Sequence, residues 1–167
     1  NPLAPYNTTE PKVLKVWKDN LLIEGQESII MSGRLLGGCM DCLINLIGTT
    51  YDKTGDFIDR YKDDGILWFI EACELNVFSM RRAMWQMEHA GWFQYVKGFV
   101  FGRPRNGESM MGLDEYEAVL TVAKKYKVPV VMDADVGHMH PMMPLVMGSL
   151  AEVTVHGNDM KIKMEYK

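Results

Sequence analysis

The chain has 167 residues, 18 Lys+Arg against 22 Asp+Glu and 47% hydrophobic residues, the profile of one globular domain. A chain of this length buries roughly 70% of its unfolded surface and needs no metal or disulfide staple, and 24% charged residues with ample Leu, Ile, Val and Met exclude general disorder. A net charge of -4 with acids and bases interleaved excludes the basic stripe of a nucleic-acid binder, and no apolar run approaches the roughly 18–20 residues of a membrane helix.

Asn1-Pro2-Leu3-Ala4-Pro5 has neither the charged nor the apolar region of a signal peptide and reads as a cut through a longer chain. Residues 1–12, with three prolines, are expected to be a linker feeding a domain over 13–167. Val13–Trp17, Leu21–Ile23 and Ser28–Met31 are short β-prone runs that predict a small antiparallel meander, followed by a glycine-marked loop over Ser32–Gly38. Apolar residues at helical intervals predict a helix over Cys39–Ile47, ended by Gly48. Gly65–Ile70 is a continuous apolar run too short for a helix, so a strand buried on both faces is expected, ending in Glu71. Met80, Ala83, Met84 and Met87 mark the buried face of the next helix, and Val96–Phe101 the next strand. Asp114 with Glu117 resembles a capping box opening a helix that runs to Tyr126. Val128–Met132 is a third buried strand ending in Asp133, and Ala151–Val155 with Lys161–Tyr166 close the chain as a hairpin. This order predicts a single α/β domain with layered helices and sheet.

Two buried strands give way to polar residues, one to Glu71 and one to Asp133-Ala134-Asp135-Val136-Gly137-His138-Met139-His140. Carboxyl ends of parallel strands share a rim where ligands bind. A carboxylate and an imidazole meeting there would fix the ring tautomer and leave the other nitrogen as a general base. Glu71 is otherwise a strand-end carboxylate capping the next helix. The His138, His140, Asp133 and Asp135 group could instead hold a divalent metal, though no zinc spacing is present. His89 suits a helix C-terminus and His156 a hairpin edge. Cys39-x-x-Cys42 lacks a second pair and reads as structural thiols, and three cysteines without a disulfide framework favour a reducing compartment. Ser32–Gly38 matches neither a phosphate loop nor a dinucleotide fingerprint, and Gly102-Arg103-Pro104-Arg105 reads as a solvated turn. None of the five serines sits in a nucleophile elbow, so the candidate site lacks its nucleophile.

Gly33-Arg34-Leu35-Leu36-Gly37-Gly38, Gly48-Thr49-Thr50-Tyr51, Ile66–Glu71, Lys97–Arg103 and Asp135-Val136-Gly137-His138 with Pro141 occur in order. Together they resemble the C-terminal domain of the serine LD-carboxypeptidase family, which includes muramoyltetrapeptide carboxypeptidases and microcin C immunity-type peptidases. The resemblance implies a three-layer β/β/α swivelling-type domain with a mixed sheet. It also implies a Ser-Glu-His triad split between domains, with Glu71 the orienting acid, His138 the general base, and the serine in an N-terminal nucleophile domain of the same parent. Asp135, Arg34, Gly37 and Gly38 are supporting candidates. Where many members carry a second acidic residue after the Glu and a Thr after the His, this chain has Ala72 and Met139.

The implied function is hydrolysis of an L,D peptide bond in murein tetrapeptides by a cytoplasmic bacterial serine carboxypeptidase, with the 167-residue chain inactive alone. The alternatives are a peptidase of the microcin C immunity type, cleaving peptidyl- or aminoacyl-nucleotides, and a non-catalytic binding module. Expected partners are the nucleophile domain, a peptide substrate and, as an option, a second copy. Nucleic acid, membrane, cofactor and metal are not expected.

Overall fold

The unbroken apolar run over residues 66–70 is a strand in the computed structural model, which describes residues 3–5, 13–23 and 27–166. In chain order the elements are β1 (Lys15–Lys18), β2 (Leu21–Ile23), β3 (Ser28–Cys39), α1 (Met40–Leu43), α2 (Thr54–Arg60), β4 (Ile66–Glu71), α3 (Val77–His89), β5 (Val96–Gly102), α4 (Glu115–Ala123), a 3-10 helix (Lys124–Tyr126), β6 (Val130–Ala134), β7 (Leu150–His156) and β8 (Asp159–Glu165). The strands form one mixed sheet in the order β2-β1-β6-β5-β4-β3-β7-β8. β3, β4, β5 and β6 are parallel, so their last residues, Cys39, Glu71, Gly102 and Ala134, share one rim.

Side chains alternate between the faces of a strand. In β4, Ile66, Trp68 and Ile70 enter one core while Leu67 and Phe69 enter another, and burial on both faces is why no polar residue interrupts the run. The first core is filled by α3 and α4 through Met80, Ala83, Met84, Met87, Val119 and Leu120. Trp68 stacks on Trp92 at 5.8 Å and meets Phe93 edge-on at 5.5 Å there.

The second core contains no helix. Leu67, Phe69, Val100 and Val131 pack with Val16 of β1 and with Val153 and Val155 of β7. In a flat sheet β1 and β7 would lie five strand spacings apart, roughly 24 Å. Yet the Leu14 backbone N–H, at the head of β1, donates to Asn158 Oδ1 in the β7–β8 turn at 2.7 Å. The sheet therefore curls until its ends meet, and the single sheet supplies both β layers of the α/β domain.

Three expectations are corrected. β3 does not pair with β2, so there is no meander: its first half pairs antiparallel with β7 and its second half parallel with β4. The glycine loop is the second half of this twelve-residue strand. A Cβ on Gly37 would sit 1.7 Å from the Phe69 carbonyl oxygen, so glycine there permits close strand approach rather than a loop. The helix expected over Cys39–Ile47 shrinks to α1, because the Asn45 side-chain amide donates to the Asp41 carbonyl at 2.7 Å and takes the acceptor a continuing helix needs. The seven-residue α2 was too short and too polar to show a period. Most of residues 1–12, and the Glu24-Gly25 turn, lie outside the described residues.

Candidate active site

Glu71 is the last residue of β4 and is only 5% exposed. His138 lies in the loop after β6, with its side chain 51% exposed. The two meet: His138 Nδ1 is 2.9 Å from Glu71 Oε1 and 3.0 Å from Oε2. A carboxylate carries acceptors only, so Nδ1–H is the donor and Nε2 of the neutral ring is left as an acceptor. The arrangement can take up a proton at Nε2 and stabilise the resulting imidazolium through Glu71.

Two glycines make room for the pair. A Cβ on Gly137 (φ +105°) would lie 2.4 Å from Glu71 Cγ and 2.6 Å from Oε2. One on Gly102 would lie 2.0 Å from the Val136 carbonyl oxygen and 3.0 Å from Glu71 Cβ. The loop carrying His138 is pinned by Arg103, whose Nη2 donates to Asp135 Oδ1 at 3.1 Å and to the His140 carbonyl at 2.9 Å. The Met143 N–H donates to the Asp135 carbonyl at 2.7 Å and closes the turn. Arg103 is thus no solvated turn residue, since its side chain is 18% exposed and holds the loop to the sheet rim.

On the other flank, Asp41 accepts backbone N–H bonds from Cys73 (3.0 Å), Glu74 (2.7 Å) and Leu75 (3.1 Å), fixing the chain just after Glu71. Burial pushes its carboxyl upward, but the donors from Cys73 and Glu74 outweigh this and hold it below its ordinary value of 3.8. A lowered carboxyl contributes stability above the ordinary range and loses it as pH falls through the lowered value. Asp41→Ala is expected to cost about 1–3 kcal/mol in urea unfolding at pH 7. The wild-type excess should shrink below about pH 4; a constant difference down to pH 2 would refute the assignment.

The third group at the site is Cys39, which the strand register sets opposite Glu71. Its thiol donates to Asp41 Oδ2 at 3.4 Å and lies beside the Glu71 carboxylate. Burial first, then the hydrogen bond and charge of Glu71, push the thiol up to about 12. It is therefore a protonated donor at neutral pH. Cys42 is exposed, and all three cysteines are free. With iodoacetamide at pH 8, Cys42 should be alkylated at least about tenfold faster than Cys39, because the thiolate is the nucleophile. Peptide mass mapping over time checks this, and faster loss of Cys39 would contradict it.

Of the sequence candidates, Glu71, His138 and Asp135 converge on the rim, beside Gly137. Gly37 and Gly38 lie in β3 beside Phe69 and Ile70 and deliver Cys39 to Glu71. Arg34 is not brought there. It pairs at the start of β4, about 17 Å along the strand from Glu71, and its Nε donates to Asp64 Oδ2 at 2.6 Å while its guanidinium covers the Tyr61 ring. The alternative metal group is divided, because Asp133 accepts from the Tyr116 hydroxyl at 3.0 Å while Asp135 takes Arg103. His89 packs on Trp85 and His156 bonds Ser28 Oγ at 2.8 Å, both away from the rim. Sequence reasoning missed Cys39, Asp41 and Arg103 as site residues. The contacts of Asp41 and Arg103 span 32 residues or more, and no local pattern reports them.

The sequence profile of the LD-carboxypeptidase C-terminal domain matches residues 32–153, so the chain belongs to that family. No curated protein matches it in sequence. Among solved structures it is similar to muramoyltetrapeptide carboxypeptidase from Oxalobacter formigenes (20% identity, TM-score 0.66, 91% of this chain and 48% of that one). It is also similar to an MccF-like protein from Streptococcus pneumoniae (21%, 0.59, 82% and 41%) and to the microcin C7 self-immunity protein MccF (18%, 0.62, 92% and 50%). The chain thus spans about half the length of the structures it matches. No helix among the described residues is long and apolar enough to cross a membrane.

Proposed function

We propose that the chain is the C-terminal half of a serine LD-carboxypeptidase, contributing Glu71 and His138 to a Ser-Glu-His triad whose serine lies in an N-terminal domain. The observation that carries this reading is the buried Glu71 carboxylate bonded to His138 Nδ1 on a ring that is half exposed at the sheet rim. In the reaction, His138 Nε2 takes the serine proton as Oγ attacks the peptide carbonyl carbon. Glu71 stabilises the imidazolium, which then protonates the departing amine. A water, deprotonated at the same nitrogen, cleaves the acyl-serine and releases the shortened peptide. The substrate proposed is the L,D bond before a terminal D-alanine in a murein tetrapeptide. A cytoplasmic setting accords with three free cysteines.

The test is side-by-side assay of the two-domain parent and the 167-residue chain on a murein tetrapeptide and on an aminoacyl sulfamoyl-adenylate. The expected result is D-alanine release by the parent and no turnover by the chain alone. Turnover of the adenylate alone would move the assignment to the microcin C immunity type. A parent inactive on both would favour a binding module.

A further inference from the structure

We propose that Cys39 Sγ, a Glu71 carboxylate oxygen and His138 Nδ1 form an inhibitory site for a thiophilic divalent cation, with zinc the reference ion. Among the described residues these are the one group of three His, Cys, Asp or Glu side chains whose ligand atoms all lie within 4.8 Å of one another. Bonds of about 2.0 Å to nitrogen or oxygen and about 2.3 Å to sulfur, at tetrahedral angles, set donor atoms roughly 3.3–3.6 Å apart, so small side-chain shifts suffice. The donor set of one sulfur, one nitrogen and one oxygen suits zinc among the common divalent ions, whereas magnesium and calcium select oxygen alone.

Charge and access agree with geometry. A Cys39 thiolate and the Glu71 carboxylate together offset the charge of a divalent ion, and Asp41 Oδ2, 3.4 Å from Sγ, adds negative potential behind them. Glu71 is buried, so the attraction is weakly screened, while the exposed edge of His138 leaves an entry path and room for a water as fourth ligand. On binding, the Cys39 S–H proton leaves to solvent and the ring proton moves from Nδ1 to Nε2. Nε2 is then a donor and cannot take a proton from serine, so inhibition rests on the proposed role of His138 as base. Cys39 thereby has a use that the triad itself does not require.

The experiment titrates zinc chloride into the metal-free 167-residue chain by calorimetry and follows cobalt(II) binding by its thiolate-to-metal charge-transfer band. One ion per chain is expected. The band should vanish in Cys39→Ala, and affinity should fall by on the order of 100-fold in Cys39→Ala and at least about 10-fold in Cys39→Ser, against no change in Cys42→Ala. Circular dichroism confirms that each variant is folded. Absence of saturable binding, or equal affinity in a folded Cys39→Ala chain, would overturn the proposal. In the two-domain parent, zinc inhibition reversed by EDTA should weaken by the same factor in Cys39→Ala, measured against that variant's own zinc-free rate. A parent that hydrolyses peptide through His138 while the chain binds no zinc refutes the metal site and leaves the peptidase reading standing; zinc binding with an inactive parent does the reverse.

Discussion

On the proposed triad, replacing His138 with alanine in the proposed two-domain parent should lower kcat by about 10³–10⁴-fold or more while KM changes little, because a general base acts mainly in the transition state. Glu71→Gln should cost nearly as much, for a different reason. The amide keeps the shape of Glu71 but offers an N–H, so the ring can turn its protonated nitrogen toward the nucleophile and present the wrong tautomer. With Nδ1 at 2.9 and 3.0 Å from the two carboxylate oxygens, the ring orientation depends directly on this acceptor pair. The double variant should be no slower than about the worse single variant, since residues of one catalytic unit are not additive. Stopped assays on purified variants check this. An activity loss below about tenfold in either single variant would remove Glu71 and His138 from the mechanism.

Gly137→Ala should destabilise the domain by about 2–4 kcal/mol, a fall in Tm of roughly 4–16 °C, and lower parental kcat by about 100-fold. Two penalties combine. The backbone at φ +105° disfavours any L side chain, and the new Cβ would lie 2.4 Å from Glu71 Cγ inside a buried slot. The carboxylate must move, and His138 with it. Gly112→Ala separates the two effects: it has φ +82° but no heavy atom within 4 Å of its Cβ position. It should lose about 1 kcal/mol and no activity. If both variants behaved alike in calorimetry and assay, the close approach of Gly137 to Glu71 would have no functional weight.

Much of this site was legible in the sequence, and the part that was not has a common cause. β4 showed itself because burial on both faces leaves an unbroken apolar run, and Glu71 because a carboxylate at the end of such a run breaks it. His138 stood out in the polar run that follows the third buried strand, and its expected role came from the family resemblance. Capping at Asp114 was also visible, and its side chain accepts the Glu117 N–H at 2.7 Å. By contrast, β3 was divided into a strand and a loop because its glycines mimic a turn signal. For Gly33 and Gly37 the reason is the close approach of Gly65 and Phe69, which depends on which strand lies alongside. Losing that pairing also hid Cys39, which reaches Glu71 only through the β3–β4 register. The curl of the sheet was hidden likewise, since it rests on contacts between chain ends such as Leu14 with Asn158. Local periodicity reports which face a residue uses, and long-range register decides what it meets there.

The most direct measurement is the tautomer of His138, read by long-range ¹H–¹⁵N NMR on the domain at a pH where the ring is neutral. If Glu71 holds the ring as described, Nδ1 should show a protonated, pyrrole-type shift and Nε2 an unprotonated, pyridine-type shift, with the preference lost in Glu71→Gln. A ring protonated at Nε2, or one averaging both forms in the wild type, would mean that Glu71 does not prepare His138 as a base.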